Sequence, residues 1–218
     1  MGLISNGTTI FDAGALDSGL AKGAMTFIKK LSGSTSSTLT FHNGASGVVL
    51  DNTYKEYLFT FNNIHMNTDS ARFQFQANVV DGADFNETMT TTLWHSQHNQ
   101  AGSFTRLAYG STSYDQAEGT AFQNLSSAGP ADNNAERTQV GIIRLFNPSS
   151  TTFVKHFVSE FNDAESDDYC TTVRVAGYFN TTAAIDEVRF QGSTGNFNGD
   201  ICLYGIRLKM IINSNKGI

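Results

Sequence analysis

The sequence predicts an all-β fold, an antiparallel β-sandwich of jelly-roll type. Aromatic residues occupy every second position in 57–61. In 73–79 every second position is apolar, and the first two of these positions are aromatic. This is the pattern expected where alternate side chains of a strand point to one face. Thr, Val, Ile and aromatic residues, which strands favour, dominate several later segments. No stretch of ten or more residues shows a helical stripe, and candidate strands recur about every 8–12 residues with turn signals between them.

Residues 1–24 differ in composition from the rest of the chain, because Gly, Ala, Ser and Asp dominate and apolar positions are scattered. We expect an extended N-terminal arm whose order depends on a partner. The strand pattern begins at Met25 and continues without an evident linker. Residues 25–218 are therefore predicted to form a single sandwich domain, a size at which all-β domains are common.

The first predicted strands lie between residues 25 and 50. Segments 25–31 and 37–41 are separated by the small polar residues SGSTS, and turn residues at 42–44 precede an apolar segment at 47–50. This spacing predicts a run of hairpins.

Aromatic stripes of constant parity predict the core. In 73–79 the intervening positions are amides, Gln74 and Gln76 among them, so we expect one face of this strand to pack inward and the amide face to form a subunit contact or a solvent surface. Phe153, Phe157 and Phe161 also share one parity and predict another buried stripe. Further candidate strands are 85–96, 140–146, 171–179, 185–190 and 200–206.

The region 97–138 is rich in Ser, Gly, Asn and Gln and has weak periodicity, which predicts long surface loops. Tyr109, Tyr114 and Phe122 stand there among neutral polar residues. Aromatic faces beside neutral hydrogen-bonding groups suit contacts with glycans or proteins, so these three residues form the candidate ligand or partner surface. The alternative is that their rings hold the loops against the sandwich.

Charge is sparse in this chain: 16% of residues are charged, the formal net charge is -6 and the pI is near 5.2. Sequence-independent binding to nucleic acid needs clustered Lys and Arg, so DNA and RNA are not expected partners. No segment approaches the roughly 18 apolar residues that a membrane span needs, and no leader is visible. Membrane insertion is therefore not expected.

Asp163, Glu165 and Asp167 form, together with Asp168, the one acidic cluster of the sequence. Their spacing mimics the first three ligand positions of a calcium-binding loop. Asp168 stands where that loop needs Gly, however, and Arg174 stands where it needs a bidentate Glu. We therefore expect a solvated turn between two strands, with no metal site and no cofactor. The alternative is a hard cation held by this turn with help from backbone carbonyls.

Two pairs of potential metal ligands lack the spacing of a site. His95 and His98 are three residues apart in a predicted strand, where their side chains would face opposite ways. Cys170 and Cys202 stand alone in predicted strands. We expect two buried thiols, and a disulfide between them is the alternative.

Signatures of catalysis are missing from the sequence. It contains no G-x-S-x-G elbow, no P-loop and no dinucleotide fingerprint. Nothing singles out an acid and a nucleophile from the 20 Asp and Glu residues, as a glycosidase would need. The sequence therefore predicts a protein without enzymatic activity.

Five segments spread over nearly the whole chain carry a resemblance to a known group of proteins. They are MGLISNGTTIFDAGAL at 1–16, MTFIKKL at 25–31, YKEYLFTFNNIH at 54–65, FNPSSTTFVKHF at 146–157 and I-x-L-Y-G-I at 201–206. The chain resembles small virion structural proteins of marine tailed bacteriophages. The resemblance implies a β-sandwich of jelly-roll type displayed in many copies on a virus particle, typically as trimers. The motifs concern shape, so they imply a family and no chemistry.

Resemblance and residues together predict a non-enzymatic virion subunit, assembled in the host cytoplasm and exposed on the particle. It would dock to other virion proteins through residues 1–24 and serve as a tail or neck appendage, a fibre or a capsid decoration. The competing hypothesis is a carbohydrate-binding adhesin that recognises a glycan of the host surface. A glycosidase is a third, weaker alternative.

Overall fold

The computed structural model describes residues 3–5, 8–12, 15–16, 24–110, 114–126 and 133–207, and in the first three of these ranges it describes the backbone and the side chain of Ile4. Apart from strands, the described residues contain one short 3₁₀ turn at Ser166–Asp168. The strands are β1 (Leu3–Ser5), β2 (Thr8–Asp12), β3 (Ala15–Leu16), β4 (Met25–Ser36), β5 (Thr38–His42), β6 (Glu56–Met66), β7 (Phe73–Val79), β8 (Met89–Asn99), β9 (Thr105–Tyr109), β10 (Ala117–Gly119), β11 (Gln123–Asn124), β12 (Gln139–Phe146), β13 (Lys155–Ala164), β14 (Tyr169–Phe179), β15 (Ile185–Gly192) and β16 (Phe197–Ile206).

Two antiparallel sheets pack against each other. The larger has nine strands in the order β10-β8-β14-β13-β12-β6-β16-β4, with β9 also paired to β8. The smaller has four, in the order β11-β7-β15-β5. The chain crosses repeatedly from one sheet to the other, because β4, β6 and β8 belong to the large sheet and the intervening β5 and β7 to the small one. The predicted all-β sandwich, jelly-roll-like in these crossings, is confirmed.

Phenylalanine dominates the core between the sheets. Phe61 of β6 lies with its ring centroid 4.9 Å from that of Phe161, 5.1 Å from Phe190 and 5.6 Å from Phe73. These contacts join β6 and β13 of the large sheet to β7 and β15 of the small one. Each buried aromatic ring contributes roughly 1.5–3 kcal/mol through removal from water. The inward stripes predicted at 57–61 and 73–79 are confirmed by their burial.

Glycine at position 141 is required by the packing of a neighbouring ring. A Cβ atom there would lie 2.6 Å from Cγ of Phe161 and 2.6 Å from the Glu160 carbonyl oxygen. Both distances are shorter than a carbon side chain allows, so the ring of Phe161 occupies the space that a side chain on β12 would fill.

The predicted hairpins between 25 and 50 are not formed. Strand β4 continues through the SGSTS segment to Ser36, and β5 then enters the other sheet, so β4 and β5 are not paired. Residues 47–50 contain no strand, although Val48 and Leu50 are buried. The small polar residues 32–36 are compatible with β4 because β4 is an edge strand. The apolar character of residues 47–50 reflects the burial of a loop.

Three further expectations are wrong in detail. Region 97–138 contributes β9, β10 and β11 as well as loops, and its residues 111–113 and 127–132 lie outside the described part. Phe153 precedes β13 and is 68% exposed, so the stripe begins at Phe157. Strand β16 begins at Phe197, before the expected start at residue 200, and is irregular at Asn198 and Gly199, where Gly199 has φ +126°.

The predicted N-terminal arm, residues 1–24, falls partly outside the described residues. Its described parts are β1, β2 and β3, which pair with one another in a three-stranded antiparallel sheet. Among the strands of the described residues, none of the sandwich belongs to that sheet. In the described residues, none of the helical structure is long or apolar enough for a membrane span.

Candidate interaction surface

The outer face of the nine-stranded sheet carries an unusual share of exposed apolar side chains. In the described part of the chain, twelve large hydrophobic side chains are exposed, and eight of them lie on this face. No strand of the small sheet covers it, because that sheet packs on the opposite side. The eight are Met25, Phe27, Trp94, Leu107, Tyr109, Val140, Ile142 and Val158.

Strand alternation places these side chains outward. In β8, Leu93 is buried in the core and its neighbour Trp94 is exposed. The register then aligns the outward residues of successive strands into one row, since Trp94 pairs with Tyr109 on β9 and with Arg174 on β14. Arg174 pairs in turn with Glu160 on β13. Sequence parity and register together therefore build a continuous surface.

Trp94, Leu107 and Tyr109 form an apolar platform at the β8–β9 edge of this face. They line an open groove of about 400 Å³ together with Ala108. The Tyr109 hydroxyl donates a hydrogen bond to Asp115 Oδ2 at 2.6 Å, and this bond raises the pKa of Tyr109 above its usual value. The platform thus combines exposed ring faces with a fixed polar rim.

A guanidinium group continues the platform towards the centre of the face. The Arg174 guanidinium carbon lies 5.4 Å from the centroid of the Trp94 ring, within the range of a cation–π contact. The same side chain forms an ion pair with Glu160, in which Nη2 and Oε2 are 2.7 Å apart. Trp94 is thereby linked to the middle strands by named contacts.

Charge on the outer face is balanced locally. Apart from histidines, the charged side chains that point outward from β4, β6, β8, β12, β13, β14 and β16 form three ion pairs. Each pair joins one acid to one base on a neighbouring strand, so this part of the face carries no net charge. The pairs are Arg174–Glu160, Arg144–Glu56 and Lys30–Asp200.

The structure separates the three residues predicted as a partner surface. Tyr109 is exposed on the outer face, as described above. Tyr114 packs against the core instead, with the Arg72 guanidinium 4.8 Å from its ring centroid and Nη2 of Arg72 donating to its hydroxyl at 3.0 Å. Phe122 is partly buried. Tyr114 therefore matches the alternative in which rings hold loops against the sandwich.

Trp94, Leu107 and Val158 are surface residues that the sequence reasoning missed. Trp94 directly precedes His95 and is the sole Trp of the chain. Leu93 and Trp94 are consecutive in a predicted strand, so their side chains point to opposite faces. Because both are apolar, the sequence indicates that both faces of this strand carry apolar side chains. Leu107 had no such signal, since its strand was not predicted.

The acidic turn is buried in part, which contradicts the expected solvated turn. Asp163 is 2% exposed and Glu165 is 3% exposed, whereas Asp168 is exposed and forms an ion pair with Arg137 Nη2 at 2.9 Å. The side chain of Asp167 lies outside the described residues. The cause is parity, because Asp163 continues the inward row of β13.

The other candidate ligands do not assemble. His95 is buried and His98 is exposed, on opposite faces of β8 as predicted. Both cysteines are free, with Cys202 buried and Cys170 exposed, so the expectation of two buried thiols is wrong for Cys170. In the part of the chain that the structure describes, no group of three or more His, Cys, Asp or Glu side chains is placed to hold a metal ion.

The amide face of β7 is covered by the chain itself, and the expectation of a subunit contact or solvent surface there is wrong. Gln76 is fully buried, and its Nε2 donates to the carbonyl oxygens of Glu87, at 3.0 Å, and Thr120, at 3.1 Å. Asn78 is buried as well and donates to Glu187 Oε2 at 2.9 Å. The segments that follow β7 and β10 therefore close this side of the small sheet.

Comparison with models of protein families, with curated proteins and with solved structures finds no match. The resemblance to bacteriophage virion proteins thus stays a prediction from the sequence.

Proposed function

We propose that this protein is a non-enzymatic structural subunit of a bacteriophage virion, which assembles with other copies of itself through the outer face of its nine-stranded sheet. The observation that supports the proposal is the concentration of exposed apolar side chains on that face. Soluble monomers rarely leave such side chains contiguous, and larger exposed patches commonly mark protein interfaces.

A second copy of the chain is the occupant that fits the charges best. The three ion pairs on the face neutralise their own charges, so two such faces meet without net repulsion. A partner with a strong charge of either sign would gain no electrostatic attraction from this surface. Depletion of unpaired charge and enrichment of aromatic and apolar side chains are also typical of interface cores.

Closed symmetry limits how such copies assemble. Soluble homo-oligomers form closed rings or dimers, and a trimer is the form that the sequence resemblance implies. Residues 1–24 would be the docking segment towards other virion proteins. In support, within the part of the chain that the structure describes, β1, β2 and β3 pair with one another and not with a strand of the sandwich. The position on the particle, as appendage, fibre or decoration, is left to imaging.

A matched pair of valines tests the assembly. Val158 lies on the outer face and Val80 lies outside it, and their exposures are 48% and 49%. Val158→Glu should convert the oligomer into a monomer, because it adds a negative charge to a face whose ion pairs already balance, so that two such faces would repel each other. Val80→Glu should leave the oligomer intact. Size-exclusion chromatography with light scattering measures both, and a monomeric wild-type protein contradicts the proposal.

The virion role needs a separate measurement. Antibodies raised against the sandwich should label intact particles in electron microscopy, at a position repeated with the symmetry of the particle. Deleting residues 1–20 should leave a soluble β protein that no longer joins particles, since the arm supplies the docking contacts. Incorporation of that truncated chain at the wild-type level would exclude the arm as the docking segment.

The platform of Trp94, Leu107 and Tyr109 favours a second candidate function, binding of a neutral saccharide on the host surface. Exposed rings with flanking hydrogen-bonding groups suit a ligand whose sugar rings have one apolar and several polar sides. Asp115 and Arg174 provide such groups at this edge. The groove volume of about 400 Å³ lies within the range of small-ligand sites.

A glycan array tests this candidate, and intrinsic fluorescence then gives the affinity. Because Trp94 is the only Trp in the chain, a ligand at the platform should change the emission of the whole protein. Trp94→Ala and Tyr109→Ala should abolish array binding, whereas Phe153→Ala removes an exposed ring elsewhere and should not. Release of reducing sugar from a bound glycan would identify a glycosidase, and absence of any array signal would leave assembly as the function of the face.

A further inference from the structure

A row of polar side chains interrupts the apolar inner face of the nine-stranded sheet. It crosses four strands in register, from Gln97 on β8 through Thr171 on β14 and Asp163 on β13 to Gln139 on β12. Thr171, Asp163 and Gln139 are all at least nine-tenths buried. Glu165, two residues beyond Asp163, is 97% buried by the same measure, its exposure being 3%. Two carboxyl groups thus lie at one buried end of the sandwich.

The hydrogen bonds at this end leave acceptor oxygens unsatisfied. Gln97 Nε2 donates to Thr171 Oγ1 at 3.2 Å and lies 3.5 Å from Glu165 Oε2. Glu165 Oε1 and Gln139 Oε1 are both buried and accept no hydrogen bond. A buried acceptor without a donor costs about 1–3 kcal/mol, and more when it is charged. Two such oxygens beside a further buried carboxylate therefore call for a positively charged or donating occupant.

The basic side chain that contacts this cluster does not satisfy these oxygens. Arg137 Nη1 donates to the backbone carbonyl oxygen of Glu165 at 2.6 Å, and its Nη2 donates to Asp168 Oδ1 at 2.9 Å. The guanidinium thus orders the turn and pairs with the exposed carboxylate. Glu165 Oε1 and Gln139 Oε1 therefore stay without a donor although a guanidinium group contacts the turn. A divalent cation would supply positive charge to these oxygens.

The buried amide of Gln139 indicates a ligand independently of the acidic residues. Gln139 is 6% exposed and stands directly opposite Asp163 in the antiparallel pair, where the Cβ atoms of facing residues are about 4.5–5.5 Å apart. Carboxylate and amide oxygens are the ligands of hard cations. Calcium accepts six to eight oxygens in flexible geometry, whereas magnesium demands a near-ideal octahedron, so strand-fixed ligands completed by carbonyls and water favour calcium.

We propose that Asp163, Glu165 and Gln139 hold one hard divalent cation, calcium by preference, at the polar end of the inner sheet face. The third side-chain ligand of this site is an amide. The site is therefore compatible with the finding that, in the described residues, no group of three or more His, Cys, Asp or Glu side chains is placed to hold a metal ion. By joining β12 to the end of β13, the cation would stabilise the folded sandwich, because it binds the folded chain and not the unfolded one.

Calcium titration of the full-length chain, dialysed first against a chelator, tests the site. Wild-type protein should bind about one calcium per chain, with a dissociation constant of about 1 mM or tighter, and its melting temperature should rise by several degrees in calcium. Magnesium should raise it less. A wild-type chain with no binding heat and an unchanged melting temperature overturns the proposal, whatever the behaviour of the variants.

Variants locate the bound ion. Glu165→Gln and Gln139→Leu should each weaken calcium binding at least tenfold. Glu160→Gln, which changes the same residue type on the outer face, should bind calcium as the wild type does. Calcium binding that persists in both of the first two variants places the ion elsewhere and overturns the assignment. If either variant fails to fold, the other and the wild-type titration still decide the outcome.

Discussion

The two faces of the nine-stranded sheet carry apolar side chains of the same kinds but differ in what covers them. On the inner face, Phe61, Phe157 and Phe161 are at most 1% exposed, because the four-stranded sheet packs on them. On the outer face, Trp94 and Val158 stay exposed. The comparison teaches that alternation assigns a residue to a face, whereas burial depends on a second layer that only the fold supplies.

The largest expected effect comes from the covered face. Phe61→Ala should lower the free energy of unfolding by about 3–5 kcal/mol, since it removes a ring that contacts Phe73, Phe161 and Phe190 and leaves a cavity among them. Equilibrium unfolding in urea, followed by far-ultraviolet circular dichroism, measures the change.

Phe153 provides the matched control, because its ring is 68% exposed. Phe153→Ala should change the free energy of unfolding by less than about 0.5 kcal/mol, as surface substitutions do. Equal losses in the two variants would contradict the contrast between covered and exposed rings. Both measurements belong at one protein concentration, because assembly through the outer face would add to apparent stability.

Parity explains which parts of the fold the sequence could predict. The inward stripes at 57–61 and 73–79 follow from period-two alternation alone, and both are buried. Phe153 has the parity of Phe157 but precedes β13, because the strand begins at Lys155. The alternation of the sequence cannot locate the end of a strand when the residues on both sides of that end are equally compatible with strand structure.

A second contrast concerns two histidines of one strand, and its expected effect is smaller. His95 faces inward and is buried, and burial, followed by the charge of Arg106, lowers the pKa of His95 below its ordinary value of 6.5. Its folded-state pKa is depressed, so its stabilising contribution is present above pH 6.5 and is lost as the pH falls through the folded-state value. Wild-type stability should therefore decline in this acidic window.

His95→Gln should flatten that decline, because glutamine takes up no proton in either state. The free energy of unfolding is measured at about pH 7.5 and about pH 5.5 for the wild type and the variant. The change between the two pH values in the variant is then compared with the change in the wild type. His98→Gln is the control, since the side chain of His98 is exposed on the outer face. A decline as steep in His95→Gln as in the wild type would show that other groups cause it.

The polar interior marks the limit of prediction for the candidate sites. Asp163 and Glu165 could be recognised as an acidic cluster from their spacing, but their burial depends on the continuation of β13 past Phe161. Gln139 carries no signal in the sequence, because a single amide becomes a candidate ligand only through the strand register that places it opposite Asp163. The platform likewise depends on the pairing of Trp94 with Tyr109, which joins residues 15 positions apart across a strand that composition did not reveal.

The smallest expected effect concerns an ion pair on the outer face. Asp200 accepts hydrogen bonds from Ser32 Oγ at 2.5 Å and from Lys30 Nζ at 3.1 Å, and these bonds lower the pKa of Asp200 below its ordinary value of 3.8. Its contribution to stability is present above pH 3.8 and is lost as the pH falls through the lower folded-state value. Because both partners are largely exposed, Asp200→Asn should cost less than about 1 kcal/mol, and less still in high salt.

The hydroxyl and the ammonium group can be separated at this site. The hydrogen bond from Ser32 is the largest single cause of the lowered pKa, and Lys30 lowers it both through a hydrogen bond and through its charge, so Ser32→Ala and Lys30→Met should each raise the carboxyl pKa of Asp200. Nuclear magnetic resonance titration of the Asp200 carboxyl carbon measures both shifts. A larger rise in Lys30→Met would make the charge the dominant partner. A loss of stability in Asp200→Asn as large as that in Phe61→Ala would mean that the outer face stabilises the monomer as strongly as the covered one, and the contrast between the two faces would fail.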